Sequence, residues 1–487
     1  MVIIGAGFGG IGAAIELRRH GFEDVVILER APRLGGTWLA NTYPGCTCDV
    51  PSHLYSFSFA QRRDWSRLCS PQPEILEYLE GVARDHDVDR LVVRDAEVQS
   101  CVWEELTRRW TVRSADGRSW EADAVIVATG QLHQPAMPSL DGAEEFAGHS
   151  FHSARWDHDY DVRGKRVAVI GTGASAIQFI PSVAEQVERL DVFQRTGNWF
   201  MARNNRAYPE WARTLIQRVP GLQALRRRFI YLYTESLTLM IRHPHTWGRI
   251  GWLLSSSFMR SQLRDPVVRR KVWPDYTFGC KRILFSSAFL PALQRPNVEV
   301  VTDRVVGLTP HGVRTADGAE REVDCIIYAT GFRTTEFMFP MEITGSGGRT
   351  LRDEWADGPH AHLGLTVPGF PSLFVMYGPN TNTSGGSIIV YLEAQAGYIR
   401  QALERVLDRG AAAIEVLPEV AAASDRELQS RFAGTAWLDC DSWYRDRAGR
   451  IVTNWPGYMR EYEQRVRVLD PAEYQLIPLP DRESVPA

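Results

Sequence analysis

The segment Val2–Arg30, VIIGAGFGGIGAAIELRRHGFEDVVILER, places an apolar strand, a glycine-rich turn, a helix-period stretch and a second apolar strand in immediate succession. That order reads as a βαβ unit, because the apolar spacing changes from a continuous run to a helical repeat and back. The design recurs at Val167–Arg195, VAVIGTGASAIQFIPSVAEQVERLDVFQR, with Gly171 standing 166 residues after Gly5. A β-rich part around Ala96–Val112 lies between the two units, and each unit is followed by a near-identical strand, DAVIVATG (Asp123–Gly130) and DCIIYATG (Asp324–Gly331). These repeats read as returns of the chain. They predict a first domain over 1–140 and 330–487 and a second, inserted in it, over 150–325. Within the second, residues 208–275 carry helix-period Leu, Ile, Trp and Arg without strand signals, and are expected to be a helical insertion.

Composition narrows the class. A chain of 487 residues with 44% hydrophobic and 23% charged residues is an ordinary folded protein with room for about three domains or two large ones. Lys plus Arg number 55 against 59 for Asp plus Glu, a balance that argues against a polyanion such as nucleic acid as partner. The stretch Phe229–Ile241 is 13 residues long and interrupted by Thr234, Glu235 and Ser236. It falls short of the roughly 20 residues that span a bilayer, while the adjacent Arg226–Arg228 leaves weak contact with a membrane surface open. Met1 leads directly into the first strand, so no export leader is expected. Seven cysteines with no CxxC pair point away from a metal site or a redox pair, and are expected to be reduced thiols in a cytoplasmic protein.

Gly5, Gly7 and Gly10 form GxGxxG between a strand and a helix, the context in which the pattern is informative. The first turns the chain, the second admits a pyrophosphate to the backbone and the third allows close helix packing at a helix N-terminus that favours anions. Glu29 ends the second strand, where a carboxylate accepts from ribose hydroxyls. In the second unit, Gly171, Thr172, Gly173, Ala174, Ser175 and Ala176 give the allowed GxGxxA form, and the position matching Glu29 is Arg195. A carboxylate in one unit and a guanidinium in the other suit a free 2′-hydroxyl and a 2′-phosphate. The expectation is an α/β chain of two Rossmann-like dinucleotide-binding domains, the first for FAD and the second for NADPH.

Two further stretches are more specific. Gly35–Asp49 reads GGTWLANTYPGCTCD and fits GGxWxxxxYPGxxxD, and Phe146–Asp157 fits FxGxxxHxxxWD. On these the chain resembles the type I Baeyer-Villiger monooxygenases over nearly its whole length. The resemblance implies FAD, NADPH and dioxygen, a small-molecule ketone as substrate, and an ester or lactone formed through a flavin C4a-peroxide. It assigns Thr37, Trp38, Tyr55 and Ile388 to positions along the FAD. It also places Lys281, with Arg195 and Thr196, on the 2′-phosphate of NADPH, and makes Arg282 the active-site arginine, held by Asp49. His152 falls in the segment joining the domains, and the family pattern associates it with domain movement rather than proton transfer. Trp443 and Trp455, in the aromatic stretch Cys440–Tyr462, stand equally for substrate cavity and for packing. The phrase YPGCTCDVPSHLYSFSF resembles family members acting on small or aryl methyl ketones.

Other readings are weighed on the same residues. A pyridine-nucleotide disulfide reductase needs cysteines where Trp38 and Tyr43 stand, and Cys46 and Cys48 are spaced too closely for an unstrained bridge. Oxygenation of sulfur or nitrogen is the nearest alternative within enzymes. A non-catalytic nucleotide-binding protein would lack Asp49 and Arg282.

Overall fold

The computed structural model describes residues 1–383, 385–446 and 448–480. Val2–Ile4 is the centre of a fully parallel sheet, flanked by Val26–Leu28 and Val125–Val127. Val92–Val93 and Leu373–Val375 form its outer strands. The three residues of the central strand are all buried, as expected of a parallel sheet covered on both faces. On one face the helix Phe8–Arg19, which starts directly after Gly7, packs against the long helix Ile388–Asp408.

The second sheet repeats this plan. Arg166–Ile170 lies between Arg189–Phe193 and Cys325–Tyr328, with Val298–Val301 and His149–His152 outside them, again all parallel. Because Leu373–Val375 joins the first sheet only after the second is complete, the second unit is inserted in the first. The FxGxxxHxxxWD segment is thus more than a connector, since His149–His152 is the edge strand of the second sheet.

The β-rich part is an antiparallel ladder of Val98–Glu104, Arg109–Ser114 and Ser119–Ala122, to which Glu342–Thr344 adds in parallel. Trp103 faces Trp110 across it, and the Trp110 indole donates to the carbonyl of Pro371 at 2.7 Å, fastening this ladder just ahead of the returning strand. The helical insertion comprises Glu210–Arg218, Leu222–Arg242, Trp247–Gln262 and Pro266–Val272. Asp265 starts the last of these by accepting the amides of Val267 and Val268, and Pro266 at the first helical position has no amide to leave unpaired. Among the described residues no helix is long and apolar enough to cross a membrane.

One expectation is corrected. Not all seven cysteines are thiols, because Cys280 and Cys440 are joined in a disulfide with Cα atoms 6.1 Å apart. The partners are separated by 160 residues, so no local spacing announces them, and only the fold brings Cys440 beside the Lys281–Arg282 segment. Cys46, Cys48, Cys69, Cys101 and Cys325 are free and buried. Titration with a thiol reagent in denaturant should therefore count five groups before reduction and seven after; seven groups without reductant would contradict the pairing.

Candidate active site

The first glycine turn is a tight cradle. Gly5 has φ +104°, and a Cβ there would lie 2.7 Å from the carbonyl oxygen of Ala128, while one at Gly10 would lie 1.9 Å from that of Gly5. Gly7 faces Gly36 closely, with a Cβ on Gly36 only 3.0 Å from the Gly7 Cα. Side chains would force these backbones apart. Glu29 is buried, and its two oxygens accept the amides of Ala6 at 2.8 Å and Ala31 at 2.9 Å. One acceptor position per oxygen is thereby used and another remains. Thr37 is exposed at the start of the short helix Thr37–Ala40. Trp38 is buried and donates from Nε1 to the hydroxyl of Tyr55 at 3.1 Å, with the two rings edge to face. Ile388 opens the Ile388–Asp408 helix, whose cap is the Ser387 hydroxyl accepting from the Ile389 amide.

From this cradle the loop Tyr43–Asp49 reaches over to the second unit. Tyr43 packs on Phe179 and its hydroxyl bonds the side chain of Ser175, a residue of the second glycine turn. Gln178 holds Thr47 twice, accepting its amide at 2.9 Å and donating to its carbonyl at 3.2 Å. Gly45, at φ +78°, lies so near the Gln178 carbonyl that a Cβ would come within 2.8 Å. Trp156 packs on the other side of Phe179 and on Phe151, and His158 pairs with Thr42 at 2.8 Å. The two sequence fingerprints therefore meet on one helix, Ala176–Ala184, and fasten the two units together.

At the end of that loop Asp49 accepts from the guanidinium of Arg282. Arg282 lies deep in the protein and still has 41% of its side chain exposed, so it faces a recess rather than packed atoms. The Asp49 carboxylate raises the Arg282 pKa above its ordinary value, against the opposing effect of burial. Burial pushes the Asp49 pKa up, but the charge and hydrogen bond of Arg282 and the charge of Arg203 outweigh it, and the net shift is downward. Both groups are charged at neutral pH. Burial also raises the phenols of Tyr377 and Tyr444, each to about 12, so both stay neutral beside the cation.

Sequence reasoning did not single out the residues that hold this pair. Arg203 donates to the Thr47 hydroxyl at 2.7 Å and to the Cys48 carbonyl, fixing the loop that carries Asp49. The Tyr444 hydroxyl bonds the backbone of Arg282 and the side chain of Asn454. Asn382 joins Asn454 at 2.9 Å and Asn380 donates to the carbonyls of Ile451 and Asn454, so the loop before Ile388 and the C-terminal stretch form one wall. The asparagines in GPNTNTSGGS and TNWPG were the available signal. Trp455 belongs to this wall as packing, being 5% exposed and edge-on to Tyr462, whereas Trp443 is 40% exposed.

In the second turn Gly171 has φ +109° and a Cβ would lie 2.4 Å from the Ala329 carbonyl oxygen, whereas Gly173 faces open space. Thr172 is buried and its carbonyl accepts from Asn198; Ala174 is exposed, and Ala176 is buried at the start of its helix. Arg195 is exposed at the end of its strand, next to Thr196. Lys281 sits with its ammonium 4.8 Å from the centre of the Tyr276 ring, and its pKa is lowered by burial and then by the charge of Arg195. Asp275 and Asp441 partly offset that charge, but neither Lys281 nor Arg195 has an ion pair among the described residues, so a dianion would find two cations to meet. His152 is buried, accepts the Ala154 amide on Nδ1 and lies edge-on to Phe332. Burial lowers its pKa, and its surroundings are those of a packed strand end.

Burial holds Cys46 as a thiol by pushing its pKa to about 11, and raises Cys48 well above its ordinary value. The family Pyridine nucleotide-disulphide oxidoreductase matches residues 2–219. That match covers the two glycine turns; the redox-cysteine positions hold Trp38 and Tyr43. A Baeyer-Villiger monooxygenase of Streptomyces coelicolor is 42% identical over 98% of this chain and 92% of its own length. One of Pseudomonas aeruginosa is 40% identical over 99% of this chain and 92% of its own. A crystal structure of OTEMO in complex with FAD and NADP superposes with a TM-score of 0.88 at 28% identity, covering 98% of each chain. With these relatives matched from end to end, and both fingerprints folded onto one helix, the chain belongs to the Baeyer-Villiger monooxygenase family.

Proposed function

We propose that this chain uses FAD and NADPH to insert one atom of dioxygen beside the carbonyl of a small-molecule ketone, giving an ester or a lactone. The observation that carries the reading is the Arg282–Asp49 pair, a permanent cation facing a recess and braced from both nucleotide units. In this reading FAD belongs to 1–140 and 330–487, and NADPH to 150–325 with its helical insertion.

The donor sets fit both groups. Gly5, Gly7 and Gly10 leave bare backbone where a pyrophosphate must approach, and Glu29 keeps free acceptor positions for ribose hydroxyls. In this reading Thr37, Trp38, Tyr55 and Ile388 line the FAD, with Tyr55 packed on Phe8 beside the first glycine turn. The turn Gly171–Ala176 offers the second cradle, with Gly173 open to a ligand. Arg195, Thr196 and Lys281 would take the 2′-phosphate, two positive charges meeting a dianion. When bound, NADPH supplies a hydride and FAD passes its electrons to dioxygen.

Arg282 remains charged at every working pH and is already oriented, so it stabilises the negative charge that builds on the ketone oxygen without reorganisation. Asp49 is a positioning residue that fixes the guanidinium, and Arg203 fixes Asp49 through its loop. Tyr444, bonded to the Arg282 backbone and to Asn454, which Asn382 holds in turn, braces the arginine from the other side.

Arg282→Ala should retain FAD yet lose ester formation by about 100- to 1000-fold, the usual loss for one preorganised stabiliser of developing charge. Asp49→Ala should lose less, because the cation survives while its orientation does not; product analysis by mass spectrometry distinguishes the two, and an Arg282→Ala protein forming ester at the parent rate would refute the site. Arg195→Ala should weaken NADPH binding about 10- to 100-fold and leave NADH binding nearly unchanged, since a charge-assisted contact to the phosphate is worth about 1.5–3 kcal/mol. Equal loss for both nucleotides in titrations of the purified protein would remove Arg195 from the phosphate site.

A further inference from the structure

The helical insertion differs from the rest of the molecule in charge and in what it shows to solvent. Residues 206–271 carry 13 Lys and Arg against 3 Asp and Glu, in a chain whose formal net charge is −4. Of the 20 exposed large apolar side chains among the described residues, 12 lie between residues 211 and 254. Scattered exposed apolar residues are ordinary, but such a concentration within one basic segment marks an interaction surface.

The helix Leu222–Arg242 is apolar on its outward face as well as its inward one. It buries Ile230, Leu237 and Ile241 together with the polar Gln223, Thr234 and Thr238, yet turns Leu225, Phe229, Leu232 and Tyr233 outward, at exposures of 64%, 70%, 59% and 48%. These four recur at helical spacing on one face, with Arg228 exposed among them and without an ion-pair partner among the described residues. The inward face is firmly held, for Arg227 donates to the carbonyls of His53, Leu54 and Ser56, and Gln223 donates to Gln61. The neighbouring helices Glu210–Arg218 and Trp247–Gln262 pack against it. They expose Trp211 at 71% and Trp247 at 49%, and Arg218 stands exposed and equally unpaired among the described residues.

We infer that this helical insertion docks on an anionic bilayer surface, with Phe229 and Leu232 entering the boundary between headgroups and acyl chains and Arg218 and Arg228 meeting lipid phosphates. Outward aromatic and aliphatic residues interleaved with arginine are the chemistry of an interfacial helix. A second copy of the chain is disfavoured as the occupant, because it would bring two patches of the same positive sign together. The inward face holds residues 53–61, which follow Asp49 in the chain, so docking would set the proposed site beside a reservoir of apolar ketones.

The test is co-sedimentation of the FAD-loaded protein with vesicles of phosphatidylcholine, alone or with about 30% phosphatidylglycerol. The protein should pellet with the anionic vesicles and be released as salt is raised to about 0.5 M. Phe229→Gln with Leu232→Gln, and separately Arg218→Gln with Arg228→Gln, should each weaken vesicle binding at least about tenfold while retaining bound FAD. Equal pelleting with neutral vesicles, or affinity unmoved by either pair, overturns the proposal. So does a dimer, seen by light scattering, that the Phe229/Leu232 pair splits in a protein that ignores vesicles, since the face would then join copies of the chain.

Discussion

A guanidinium and a carboxylate that are 233 positions apart meet across the boundary between two nucleotide-binding units, and the rest of the architecture serves that contact. A charge placed deep in protein is costly unless it is paired, so Arg282 and Asp49 hold one another in the ionised state. The loop Tyr43–Asp49 of the first unit, which carries the carboxylate, is seated on the Ala176–Ala184 helix of the second. Gln178 and Phe179 seat it from the helix and Ser175 from the glycine turn before it, while Arg203 holds it through Thr47 and Cys48. The ion pair and the seam between the two units thus share one loop.

The C-terminal stretch completes the arrangement from the opposite direction. It is tied to the arginine segment by the disulfide at Cys280, by the Tyr444 hydroxyl on the Arg282 backbone and, through Asn454, to the loop ahead of the Ile388–Asp408 helix. That helix packs against Phe8–Arg19, whose N-terminus is the first glycine turn. A chain that leaves the first sheet, builds a second and returns thus brings residues from positions 49, 282 and 454 together.

Much of this was legible in the sequence where the determinant is local. The glycine turns, the apolar strand runs and the helix-period insertion each fit within about thirty residues, and short-range geometry sets them. The inserted topology was legible because the closing strands DAVIVATG and DCIIYATG repeat. Asp49 and Arg282 came forward through the family patterns, since nothing in their immediate neighbourhoods points from one to the other. What escaped was long-range. Cys280 and Cys440 looked like stray thiols because spacing says nothing about partners 160 residues apart. Arg203 lies in no recognisable motif, and Trp443 and Trp455 differ in burial for reasons that composition does not hold.

The central claim is that the charged pair and its recess serve oxygen insertion beside a carbonyl, and the fate of the oxygen atoms tests it most directly. The purified protein, supplied with NADPH and a panel of ketones under isotopically heavy dioxygen, should yield an ester or lactone carrying one heavy atom, with none incorporated when only the water is labelled. NADPH consumption that delivers the label solely to hydrogen peroxide, or solely to sulfoxides and N-oxides when such substrates are offered, would contradict the account.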